Sequence, residues 1–188
     1  MKYYVVKYGG PFGFIKPWTA VRDASGGETY SQQFLTPSII EGIRQKLEVT
    51  AIMRHKLSYA GINIQQEVVQ AKAWSKKGKT FMRARSVLKR GVMLSPVIYF
   101  AFATLEDARK ASLQHICLCR NEDILLPEAN IQELSISEFD KLEGYELRFG
   151  EREQSFLVGY NRFKNNEEMY GWIEMCTEQI YRSLFCAI

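Results

Sequence analysis

Residues Val68 to Leu105 read VVQAKAWSKKGKTFMRARSVLKRGVMLSPVIYFAFATL. The stretch holds no Asp or Glu, yet eight cations crowd its first two-thirds: Lys72, Lys76, Lys77, Lys79, Arg83, Arg85, Lys89 and Arg90. Like charges within a Debye length of about 8 Å repel, so folding alone has no use for such a run, whereas a polyanion that neutralises it does. Val92 to Thr104 is the most strand-like run in the chain, rich in Val, Ile, Tyr and Phe. One stretch thus supplies a sheet strand and, ahead of it, a basic segment, 68–91, predicted to stand outside the core as an insertion.

Working outward, Lys2 to Tyr8 is rich in Tyr and Val, alternates loosely and stops at Gly9-Gly10-Pro11, which reads as a first strand. The segment 11–36 is predicted to be a loop carrying Phe12, Phe14, Trp18, Tyr30 and Phe34 among turn-forming Gly and Pro; loops of that length inside a compact domain tend to be functional. Ser38 and Glu41 stand at capping-box spacing around the apolar stripe Ile39, Ile40, Ile43 and Leu47, predicting a helix to about Leu47, with Thr36-Pro37 as an alternative cap. Thr50 to Tyr59 and Ile62 to Ala71 read as strands. Leu105 to Leu118 reads as a helix with Leu105, Ala108, Leu113 and Ile116 on its buried face. Segments 146–149 and 154–160 suggest a closing hairpin, and Met169 to Phe185 a terminal helix. Strand, helix, strand, strand, helix, strand is the βαββαβ order of a ferredoxin-like sheet. The expectation is an α+β, RRM-like single domain over 1–188, with an aromatic loop, a long thumb-like basic insertion and a short C-terminal extension.

At 188 residues such a domain should bury roughly 70% of its extended surface. Its 46% hydrophobic and 24% charged residues are ordinary for a globular chain. The formal charge of +4 hides an uneven distribution, because from Asn121 to Glu153 ten Asp and Glu face only Lys141, Arg148 and Arg152. That acidic flank reads as the solvated or protein-facing side and the basic segment as the binding face; the plain alternative is that both are ordinary solvated surface. Cys117, Cys119, Cys176 and Cys186 lack paired C-x-x-C spacing, and His55 and His115 are the only histidines, so neither a metal nor a cofactor is expected. No apolar run reaches the roughly 20 residues that span a bilayer, and nothing at the N-terminus resembles a signal peptide; a cytoplasmic setting without membrane contact is expected. Gly9-Gly10 and Gly26-Gly27 are turn glycines without the flanks of a phosphate loop or dinucleotide fingerprint, which argues against small-molecule enzymology.

Single-stranded RNA is held by cations along its backbone and by aromatic faces under splayed bases. The chain offers both: Lys16, Trp18 and Arg22 in the aromatic loop, and Lys72, Trp74, Lys76, Lys77, Arg83, Arg85, Lys89 and Arg90 in the basic segment. Strand alternation puts Arg83 and Arg85 on one face, which suits phosphate clamping. Trp18 reads equally as a half-buried loop anchor, Trp74 reads as a partner or RNA contact, and Phe12, Phe14 and Phe34 read as core.

A strand ending in Gly10-Pro11-Phe12, a loop with Lys16-Pro17, and Phe34-Leu35-Thr36-Pro37-Ser38 leading into Gly42-Ile43 resemble the opening of the fifth CRISPR-associated (Cas) protein family, the guide-RNA cap subunit of type I Cascade complexes. The run Phe81 to Arg90, followed by the strand Val97 to Ala103, is similar to that family's type I-C branch, where an Arg-rich segment enters a strand. Phe156 to Phe163 looks like a drifted form of the branch's Tyr-Leu-Gly-Cys-Arg-Glu-Phe stretch. The resemblance implies a ferredoxin-like member of the RAMP superfamily in antiviral defense. Such a subunit grips the 5-prime handle of crRNA, caps the backbone filament beside the backbone and large subunits, and meets target DNA only indirectly. The branch also cleaves its own repeat RNA without metal, using Tyr, Lys and His as acid–base groups. Here Gln32 stands nearest the family's tyrosine and Tyr30 two residues earlier, while Lys110 and His115 lie in the region of its Lys-His pair. A metal-independent endoribonuclease is therefore a second reading, and a basic module docking on an acidic protein a third.

Overall fold

The computed structural model describes residues 2–17, 28–161 and 165–175, with the backbone alone for 69–73, 75 and 83–86. In chain order, β1 (Lys2–Gly9), β2 (Phe12–Gly13) and β3 (Glu28–Tyr30) precede α1 (Pro37–Leu47). Four strands follow: β4 (Arg54–Ser58), β5 (Gly61–Lys77), β6 (Thr80–Leu94) and β7 (Val97–Phe102). After α2 (Leu105–Ser112) come β8 (Ile116–Cys117), β9 (Ile124–Pro127), β10 (Gln132–Ser135) and α3 (Ile136–Asp140). The last described elements are β11 (Tyr145–Phe149), β12 (Phe156–Asn161) and β13 (Glu167–Met175). The architecture is α+β, strand-rich and mostly antiparallel.

The main sheet runs β12-β13-β11-β4-β7-β1-β9-β8, with β10 also on β1. At its centre β1 pairs antiparallel with β7 on one edge, while β9 takes its Tyr8–Gly9 end and β10 its Lys2–Val5 end on the other. Period-two alternation divides the core. Val6 and Tyr8 join Leu57, Ile98, Phe100 and Phe102 beneath α1 and α2, against Ile43, Leu47, Ala108 and Ala111. Tyr3, Val5 and Ala101 face the other way, onto Phe139 of α3.

Local chemistry explains the helices. Thr36, not Ser38, is the N-cap of α1, with Pro37 at the first helical position, where a missing N–H costs nothing. The expected Ser38–Glu41 capping box does not form, since Glu41 lies two residues past the box position of a Thr36 cap and accepts instead from Nε and Nη2 of Arg44 and from Gln45. Thr104 caps α2 by accepting from the Asp107 amide at 3.2 Å. The helix stops at Ser112 rather than Leu118, because Ile116 and Cys117 pair with Leu125 and Ile124 as strands.

Three other expectations are corrected. The run Val92 to Thr104 is two strands, broken where Ser95 takes φ 47° and Pro96 has no N–H for the ladder. The segments 145–149 and 156–161 do not pair with each other; β13 lies between them. Glu167 to Met175 is that strand and not the start of a helix, and Cys176 to Phe185 lies outside the described residues. Gly171 shows why: a Cβ there would collide with the carbonyl oxygen of Arg148, so the glycine permits the close strand approach.

Candidate nucleic-acid interface

The basic segment, expected as a thumb-like insertion, lies in a β-ribbon. Between the core strands β4 and β7, β5 and β6 form one long antiparallel hairpin from Gly61↔Leu94 to Lys77↔Thr80, closed by Gly78-Lys79 with Gly78 at φ 65°. A Gly-first two-residue turn matches the twist of a hairpin. At the root, β2 pairs with Met93 and Leu94, and β3 runs parallel to Lys89–Gly91. Beyond Leu88 the two strands pair only with each other among the described residues. An isolated two-stranded ribbon is marginally stable in water. This arm therefore gains from any partner that covers it.

Register sorts the arm into two unlike faces, because cross-strand partners share a side and neighbours along a strand alternate. On β6, positions 81, 83, 85, 87, 89 and 91 lie on one face; their β5 partners are Lys76, Trp74, Gln70, Val68, Gln66 and Ile64. That face collects Phe81, Lys76, Arg83, Trp74, Arg85 and Lys89 over roughly 26 Å at about 3.3 Å per residue. None of its β5 or β6 positions is a carboxylate. Trp74 and Phe81 are 58% and 60% exposed, and the Lys76 ammonium lies 5.9 Å from the Phe81 ring centroid. The alternation read for Arg83 and Arg85 thus holds in the backbone. Lys77 falls on the opposite face, and Lys72 in the irregularity between Gln70 and Trp74.

The segment is acid-free along the chain but not in space. Lys89 reaches Glu28 at 3.1 Å, and Arg90 reaches Glu67 at 2.7 Å. Arg90 also lies 5.1 Å over the ring of Phe14, which Arg120 approaches at 5.7 Å. Phe14 is fully buried, as its core reading expects. Arg120 is in turn bound to the buried Asp123 through Nε and Nη2. The two guanidinium groups and the ring tie the arm's root to the main sheet, so Arg90 anchors the arm. Phe34 packs edge-on against Phe156 at 6.0 Å. Lys16 is exposed; Trp18 and Arg22 lie outside the described residues.

The three acid–base candidates are not brought into hydrogen-bond contact among the described residues. The Tyr30 hydroxyl donates to Glu28 at 3.1 Å, a bond that raises the phenol's pKa. Lys110 pairs with Glu106 on its own helix at 3.2 Å, and His115 is exposed just ahead of β8.

Sequence reasoning missed a charged cluster on the α3 side of the main sheet. Arg54 donates to Glu146 through Nε at 2.8 Å and Nη2 at 2.5 Å, pairs with Asp140 at 2.7 Å, and lies 4.7 Å over Phe139. Burial alone would lower the Arg54 pKa, but the hydrogen bonds to Glu146 and Asp140 hold it up. Lys56 donates to the carbonyls of Asp140 and Leu142. Arg148 extends the cluster to Glu174 at 2.7 Å. Parts of the acidic flank are therefore interior: Glu146 is 3% exposed and Asp123 is wholly buried. On the other face of β4, burial and the nearby Arg54 and Arg148 lower the pKa of His55 to about 4.

Cys117 is half-buried and Cys119 exposed, whereas Cys176 and Cys186 lie outside the described residues. Among the described residues no group of three or more His, Cys, Asp or Glu is placed to hold a metal ion, and no helix is long and apolar enough to cross a membrane. No protein-family model matches the chain, and no curated protein matches it in sequence.

Proposed function

We propose that this chain is a single-stranded RNA-binding subunit that holds the 5-prime handle of a CRISPR guide RNA and caps the backbone of a type I Cascade complex. The observation that carries the reading is the one-sided face of the arm, where Lys76 and Arg83 stand across from Phe81 and Trp74 near the tip and Arg85 and Lys89 continue toward the root. Cations spaced along an extended ribbon suit a phosphate backbone, and exposed rings beside them suit splayed bases. We also read the sheet as ferredoxin-like. The spatial order β4-β7-β1 followed by β9 and β10, antiparallel throughout, supports this, as do α1 after β1 and α2 after β7. Binding rather than cleavage is favoured because Tyr30 and Lys110 are each committed to a carboxylate.

The test is the double variant Arg83→Ala/Arg85→Ala. Its affinity for repeat RNA should fall, and the slope of log affinity against log salt should flatten by about 0.7 for each lost phosphate contact. Unchanged affinity and slope refute the reading. The exposed Val68, Met82 and Val87 along the arm favour a second reading, docking on an acidic protein surface. In that case RNA retention on filters stays weak and sequence-blind while pull-down by a protein subunit is strong.

A further inference from the structure

We infer that Tyr30 is a stacking platform that seats one nucleobase of the bound strand at the root of the arm. This rests on the RNA-binding reading above and assigns Tyr30 a role other than acid–base chemistry. Tyr30 pairs with Gly91 in the parallel β3–β6 register, and a Cβ on Gly91 would crowd three atoms of the tyrosine ring. The absence of a side chain there lets the ring lie down on the strand.

The ring is also held at its far end. Its hydroxyl donates to one oxygen of Glu28, whose other oxygen accepts from Lys89 Nζ at 3.1 Å. Tyr30 nevertheless remains 52% exposed. A ring pinned at one side and one end but open to solvent is preorganised, which cuts the ordering cost of binding. Trp74 and Phe81 lie farther along the same face, with Lys89 and Arg85 between the root and those rings and Arg83 directly across from Trp74. The Glu28 carboxylate beside the platform repels phosphate and accepts from a base N–H or a ribose hydroxyl. The root is therefore suited to a base and its sugar, and the arm beyond it to the phosphates.

A cross-strand aromatic can also serve simply to cover a glycine. Tyr30→Leu separates the two roles, since leucine still covers Gly91 but offers no π face; Tyr30→Phe keeps the ring and loses only the hydroxyl. A fluorescein-labelled oligouridylate and its abasic counterpart are titrated against the whole chain by anisotropy at several salt concentrations. Tyr30→Leu should bind the oligouridylate roughly 5- to 150-fold more weakly, the range expected for one stacked base. Its salt slope and abasic binding should be unchanged, and Tyr30→Phe, which keeps the π face but loses the tether to Glu28, should bind between the parent and Tyr30→Leu. A Tyr30→Leu protein that binds the oligouridylate like the parent, or loses abasic binding equally, overturns the platform alone. A parent chain that binds neither oligomer overturns the RNA-binding reading and the platform with it.

Discussion

Arg54→Ala removes one partner of the most buried ion pair in the described structure. The guanidinium is lost from two hydrogen bonds to Glu146 at 2.8 and 2.5 Å, from Asp140 at 2.7 Å and from the face of Phe139. Glu146, only 3% exposed, would keep a single cation, Arg148, at 3.4 Å. Breaking a buried pair by removing one partner costs about 3 to 5 kcal/mol. The surviving Arg148 places this case at the low end, about 3 kcal/mol. For a chain of this size that is a drop of about 6 to 12 °C in Tm. Urea and thermal unfolding followed by circular dichroism read it directly. Arg54→Met combined with Glu146→Leu removes both charges and fills the space, so it should recover most of the loss, because the cost comes from the stranded carboxylate. A loss below about 1 kcal/mol for Arg54→Ala, or a double variant as unstable as the two single losses summed, would refute this account of the cluster.

His55 should make stability pH-dependent. Its folded pKa near 4 lies below the unfolded value of about 6.5, so the unfolded chain takes up the proton first as pH falls. This contribution is complete above about pH 6.5 and is lost toward pH 4, amounting to about 3 kcal/mol; His55→Phe should show a correspondingly shallower acid limb in urea titrations, and parallel limbs would contradict the assignment. Thr104→Ala should cost about 1 kcal/mol through loss of the α2 cap, whereas Ser38→Ala should change stability by under about 0.5 kcal/mol. Equal effects from the two would restore the Ser38–Glu41 capping box.

The elements that sequence disclosed are those set by short-range chemistry. β1, α1 and the start of α2 were legible because alternation and the apolar stripe of α1 act within a few residues, but the expected buried face of α2 fails at Leu105 and Leu113, which are 36% and 85% exposed. The arm was half legible: its charge pattern and the alternation of Arg83 and Arg85 were plain, but the pairing that makes β5 and β6 one ribbon joins residues as distant as Gly61 and Leu94. The strand β13 was misread because its pairing with β11 and β12 is nonlocal, and its glycine marks a close backbone approach rather than a helix position. Charge itself misled where partners were distant. Arg54 and Glu146 stand 92 positions apart, and nothing local announces that each neutralises the other inside the sheet. The same holds for Glu28 and Lys89, which meet only because β3 lies parallel to the root of β6.

Photo-crosslinking of the intact chain to a single-stranded repeat RNA, followed by identification of the modified residues, tests the central claim most directly. Adducts concentrated at Trp74 and Phe81 and within Phe81–Lys89, lost when unlabelled RNA competes, are the predicted result. Adducts confined to β11–β13 or α3, or none on the arm while the RNA is bound, would contradict it.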